Sequence, residues 1–152
     1  MNTQTPDIET PKPEDDRDWL LQHLIEVTNS GIPVPVTLTT AAGLVTGVTI
    51  TGPDFLDLFK LELTRQWPAH MQDTYSEVVE QWKADIYSKS PDNEADSPAP
   101  TFIHLKDARL FNAGTVVPGS GGMLWRGKLS SIIGFTIGVL KPDGTAESDA
   151  EE

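Results

Sequence analysis

Few residues in this chain have the type and spacing that chemistry needs. Asp54 and Asp57 follow Pro53 three positions apart, a spacing that sets two carboxylates on one side of a helical turn. A helix start explains them more simply, because acids favour the positive end of the helix dipole. Ser130 and Ser131 lack the flanking glycines of a nucleophile elbow. His23, His70 and His104 are scattered, with no acid at motif spacing, and are expected to be structural rather than metal ligands. The glycine-rich run 119–122 precedes neither Lys-Ser/Thr nor a helical pattern, which argues against a phosphate loop. The absence of cysteine removes any disulfide framework, thiolate site or thiol nucleophile. The expectation is a non-enzymatic chain with no cofactor and no metal.

Binding chemistry is better represented. FIHLKDARLF (102–111) and LWRGKLSSIIGFTIG (124–138) carry Lys106, Arg109, Arg126 and Lys128, with Trp125 among them. On adjacent antiparallel strands these five residues are the expected binding site, a cationic surface for an anion, a nucleic acid or an acidic peptide. Ordinary exposed strand positions give the same pattern, and strand register decides which side chains share a face. Four bases are a thin footprint for nucleic acid, and a net charge of −12 repels phosphate.

That charge is unevenly placed. Residues 1–18 hold six acids and two bases, residues 92–100 three acids, and residues 143–152 five acids, whereas 101–142 holds one acid and five bases. The foldable body is therefore near neutral, with a basic C-terminal half and acidic appendages. Composition favours reading the appendages as solubilising disorder. A second reading has an acidic tail meeting the basic half of a neighbouring molecule in salt-sensitive association. A chain of 152 residues suits one domain, and 12 Pro with 12 Gly is more than a helical bundle carries. No apolar run reaches the roughly 18–20 residues of a membrane span, and the N-terminus has no signal-peptide stretch. A cytoplasmic protein is expected, with acidic disordered tails at 1–15 and 142–152 around one globular domain at 16–141.

The positioning elements follow from periodicity. Leu20, Leu21, Leu24 and Ile25 form one stripe of a helix running from about Asp16 to Asn29, widened by Trp19 and stopped by Gly31 and Pro33. Val34, Val36 and Leu38 alternate as a strand, Ala41-Ala42-Gly43 turns, and Leu44–Thr51 returns, with Gly47 marking a bulge or bend. Phe55, Leu58, Phe59 and Leu63 favour a helix. Trp67-Pro68 breaks it, and Met71, Tyr75, Val78, Val79, Trp82 and Ile86 space a second helix packed on the sheet. A flexible loop is expected at 90–100, strands at 102–111, 123–129 and 132–140, and a long loop at 112–122. Gly127 and Gly134 are expected to permit close approach or a bulge.

The fold class is therefore α+β: an N-terminal helix, then a small five-stranded bent antiparallel sheet or barrel, with a helical insertion at 54–88 between strands two and three. The order resembles the Sm-like or SH3-like topology, with HLKDA (104–108) and WRGKLSSI (125–132) standing for its two short strand motifs.

FIHLKD (102–107), then WRGKL (125–129) after a glycine-rich loop, then Gly134-Phe135 and Gly138, resembles the gas vesicle accessory protein U family, GvpU. The closest likeness spans 101–140. The Pro-rich entrance to the first strand, the Trp67-Pro68 break and the acidic tails depart from the family pattern. The resemblance implies a non-enzymatic cytoplasmic protein associated with gas vesicles. Such a protein would bind the vesicle shell protein or other gas vesicle proteins, form a homo-oligomer, and aid assembly or clustering without a membrane. An Sm-like nucleic-acid-binding module is the alternative.

Overall fold

A computed structural model describes residues 16–87 and 99–141. The expected tails at 1–15 and 142–152, and most of the 90–100 loop, lie outside the described residues. Helix α1 spans Trp19–Asn29, followed by β1 (Pro35–Thr40), β2 (Gly43–Ile50), α2 (Gly52–Thr64) and α3 (Ala69–Tyr87). Then come β3 (Phe102–Asn112), β4 (Thr115–Val117), β5 (Met123–Lys128), a 3₁₀ turn at Leu129–Ser131, and β6 (Ile132–Ile137).

Asp18 starts α1. Its Oδ1 accepts from the amides of Leu20 and Leu21 at 2.9 and 3.4 Å, two donors that the first helical turn leaves unpaired. Gly31, at φ 106°, ends the helix in a conformation that favours glycine. Leu21 and Thr28 are buried, and Leu24 and Ile25 pack beside Leu21. Trp19, expected on this stripe, is exposed, because it occupies the first helical position ahead of the sheet contact.

The sheet is antiparallel, in the order β4-β3-β2-β1-β6, with β5 also paired to β3. Six strands are described where five were expected. β4 is the addition, pairing Thr115–Val117 with Leu110–Asn112 inside the run read as a loop. Three residues between turn signals are too few for a two-residue period to register. Among the described residues the sheet does not close, since β6 pairs only with β1 and β5 only with β3. Neither the Sm-like nor the SH3-like topology is established by this arrangement.

Register assigns the faces. Val36 and Leu38 of β1, Val45 of β2 and Ile103, Leu105 and Ala108 of β3 point to α1 and, with Leu21 and Leu129, make the core. Each of these valine, leucine and isoleucine side chains contributes about 1.5–3 kcal/mol when withdrawn from water. Threonine hydroxyls tie the layers together. Thr28 on α1 meets Thr49 on β2 at 2.6 Å, and the Thr49 hydroxyl accepts from the Val34 amide at 2.8 Å. On the opposite face, Thr37 and Thr46 pair at 3.0 Å. The chain after β6 turns over them, with the Leu140 amide donating to Thr46 Oγ1 at 2.9 Å.

Helices α2 and α3 lie between β2 and β3 in sequence and on the face opposite α1. Thr51 caps α2 by accepting from the Asp54 amide, and Pro53 suits the first turn. Phe55 is the buried anchor of α2. Helix α3 packs on α2 rather than on the sheet, as its expected apolar stripe implied, because α2 intervenes. Of that stripe only Val79 is fully buried, while Tyr75 stacks edge-on between Trp67 and Trp82 at 5.4 and 6.0 Å. Lys83 fastens the pair by donating to Asp57 at 3.0 Å and Glu80 at 3.2 Å. These two carboxylates hold its ammonium above the ordinary lysine range.

Candidate binding face

β3 carries an extra residue against both β2 and β5. Register slips opposite Gly47, between Thr46 and Val48 of β2, and again between Leu105 and Ala108 toward β5. Asp107 sits at this bulge with φ 52°. A Cβ on Gly47 would lie 3.0 Å from the Lys106 carbonyl oxygen and 3.2 Å from Ala108 Cα, so glycine admits the close approach there. Plain alternation puts residues 106 and 109 on opposite faces. The bulge instead pairs Lys106 with Val48 and Arg109 with Thr46, which share a face.

On β5, Arg126 stands opposite His104 and Lys128 opposite Phe102. Lys106, Arg109, Arg126 and Lys128 thus occupy one face, turned away from α1. Trp125 pairs with Leu105 on the other face and packs against the core. The expected five-residue set is therefore four cations on one side and an indole behind them.

The four cations are not equivalent. Arg109 donates to the Pro118 carbonyl from Nε at 3.3 Å and Nη2 at 3.2 Å, and to the Gly119 carbonyl from Nη2 at 2.8 Å. It holds the β4–β5 loop. Arg126 donates from Nε to His104 Nε2 at 3.1 Å, and its guanidinium lies 3.6 Å from the Phe102 ring centroid. Lys106 and Lys128 are exposed. Neither side chain makes a hydrogen bond or ion pair among the described residues, so both present free ammonium groups.

His104 joins this face to the helices. Its ring lies 4.7 Å from that of Phe55, and burial first, then the charge of Arg126, lowers its pKa to about 4. It is neutral at pH 7, with Nε2 as acceptor and the proton on Nδ1. Sequence spacing reads it as a lone structural histidine. Its pairing with Arg126 depends on cross-strand register, which no local pattern carries.

Asp54 and Asp57 fall on α2 as cap-adjacent acid and ion-pair partner. His23, His70, Ser130 and Ser131 are exposed and do not converge. Among the described residues no group of three His, Asp or Glu side chains is placed to hold a metal ion, and no helix is long and apolar enough to cross a membrane.

Fold and face together define a mixed helix-and-sheet protein with four cations on one face of its antiparallel sheet. The family model for gas vesicle protein GvpU-like proteins matches residues 18–140, and the chain belongs to that family. The match reaches well upstream of the 101–140 segment in which the resemblance is most legible. The family is an accessory gas vesicle family and not a known enzyme family. No curated protein and no solved structure matches the chain.

Proposed function

We propose that this chain is a non-enzymatic gas vesicle accessory protein, which binds the vesicle shell protein or self-associates to aid vesicle assembly or clustering. It acts in the cytoplasm, at the vesicle. The observation that carries the reading is the gathering of Lys106, Arg109, Arg126 and Lys128 on one face by the Asp107 bulge, in a chain of the GvpU-like family. Two of these cations are spent on holding the scaffold, which leaves Lys106 and Lys128 as the contact charges for an acidic segment of a shell protein or of a second copy. Single exposed pairs contribute about 0–1 kcal/mol, so contact requires several in parallel.

Co-sedimentation of the full chain with purified gas vesicles across a salt series tests this. Binding falls between 0.1 and 1 M salt, as the screening length shortens from about 10 Å to about 3 Å. Lys106→Ala combined with Lys128→Ala weakens binding at low salt. Binding that ignores both salt and the double substitution overturns the cationic face as the contact.

A further inference from the structure

Strand β6 ends the sheet on the side of β1, and its outer edge pairs with nothing among the described residues. Exposed strand edges in folded proteins are normally blunted by charge or proline, because their free N–H and C=O groups template pairing with another chain. The run from Leu129 to Leu140, LSSIIGFTIGVL, contains no charged residue and no proline, in a chain of net charge −12. Ile133 and Ile137 are 72% and 58% exposed. Ile133 is also the extra residue where register against β1 slips between Thr39 and Thr40, so it stands out from that ladder.

The course of the chain keeps this edge clear. Gly138, at φ 112°, turns the backbone inward, its amide donates to the Pro35 carbonyl at 2.9 Å, and Leu140 is tied to Thr46. The chain therefore leaves across β1 and β2 instead of along the outer side of β6.

We propose that β6 is the seam of a two-fold dimer, in which the β6 strands of two copies pair antiparallel. This deepens the self-association in the proposed function and rests on it. A second copy fits the edge for three reasons. The segment brings no like charge against itself. Its free backbone groups match their own symmetry mates. A two-fold axis normal to the sheet preserves its faces, so residues placed opposite must be an even number apart, which centres the axis on a residue. Centring on Phe135 sets Ile133 of one copy against Ile137 of the other, covering the two most exposed apolar side chains of the strand.

The chain has no cysteine, which permits a register-specific test. Ile133→Cys and Ile137→Cys are prepared as separate variants of the full chain. On oxidation, their mixture cross-links into dimers and either variant alone does not. Like positions would sit about 13 Å apart along the seam, beyond the roughly 7 Å that a disulfide spans. Ile133→Lys shifts the sedimentation profile from dimer to monomer, while a circular-dichroism melt verifies that it is folded. A wild-type chain that stays monomeric through a dilution series overturns the proposal. So does equal cross-linking of either variant alone, or a folded Ile133→Lys that still dimerises. Vesicle co-sedimentation of the wild-type chain separates the two readings. A wild-type chain that stays monomeric yet keeps Lys106- and Lys128-dependent vesicle binding leaves shell binding standing and removes only the seam.

Discussion

Arg126 donates from Nε to Nε2 of His104 at 3.1 Å, directly across the β3–β5 ladder. The acceptor role requires a neutral imidazole, and burial together with the arginine charge keeps it neutral down to about pH 4. The unfolded chain takes up this proton near pH 6.5. Between pH 6.5 and 4 the unfolded state therefore binds more protons, and stability from this group is lost as pH falls through that window. The loss reaches on the order of 3 kcal/mol at its full extent. Denaturant midpoints at pH 7 and pH 5 should fall for the wild-type chain and fall less for His104→Leu. Equal losses in both would exclude His104 as the group responsible.

Gly127 and Gly134 separate in the structure. A Cβ at Gly127 would run into the outer ring of the Trp125 indole, which packs partly buried against the core and would have to shift. Gly127→Val should cost about 1–3 kcal/mol, seen as a lowered melting temperature. At Gly134 a Cβ meets nothing within 4 Å, and Gly134→Ala should leave the melting curve near wild type. A reversed order of the two effects would contradict this placement of the indole.

Arg109 and the two exposed lysines should fail differently. Arg109→Ala removes the donors that hold the Pro118 and Gly119 carbonyls. It should loosen the β4–β5 loop and raise its protease sensitivity. Lys106→Ala and Lys128→Ala should leave stability within about 0.5 kcal/mol, because neither residue supports a contact. Limited proteolysis beside thermal melting distinguishes the two classes. A stable Arg109→Ala with an intact loop would show that its hydrogen bonds are dispensable.

Thr46→Val replaces a buried hydroxyl that serves both Thr37 and the Leu140 amide. Valine keeps the shape but removes the acceptor of the Leu140 amide and leaves Thr37 with its bond to the Gly138 carbonyl, a cost of about 1–3 kcal/mol. Thr46→Ser should recover much of it. If valine and serine behave alike in urea titration, packing rather than hydrogen bonding governs the site.

Local periodicity was enough to locate most elements. Leu20 to Ile25 read as α1, the Ala41–Gly43 turn as the β1–β2 hairpin, and the Trp67-Pro68 break as the division between α2 and α3. Strand β4 was too short to register. The candidate face was legible only as composition, because cations at 106, 109, 126 and 128 say nothing of facing until register is known. Strict alternation assigns Lys106 and Arg109 to opposite sides, and the left-handed Asp107 reverses that result. Asp107 is not a glycine, so no residue type announced the bulge on its own strand. Gly47 across the ladder was the nearest signal.

Helix α3 has one fully buried residue, Val79, and packs chiefly on α2, which in turn rests on the sheet through Phe55. An element held at one remove from the core opens at lower free energy than the core itself. In deuterium, the α3 amides should exchange first, those of α2 next, and those of β1, β2 and β3 near the global limit. Because Phe55 lies on His104, a sub-global opening that lifts α2 also wets the imidazole beneath it. Acidification should therefore lower protection factors in the helical pair before it lowers them in the strands, a graded loosening rather than a single cooperative melt.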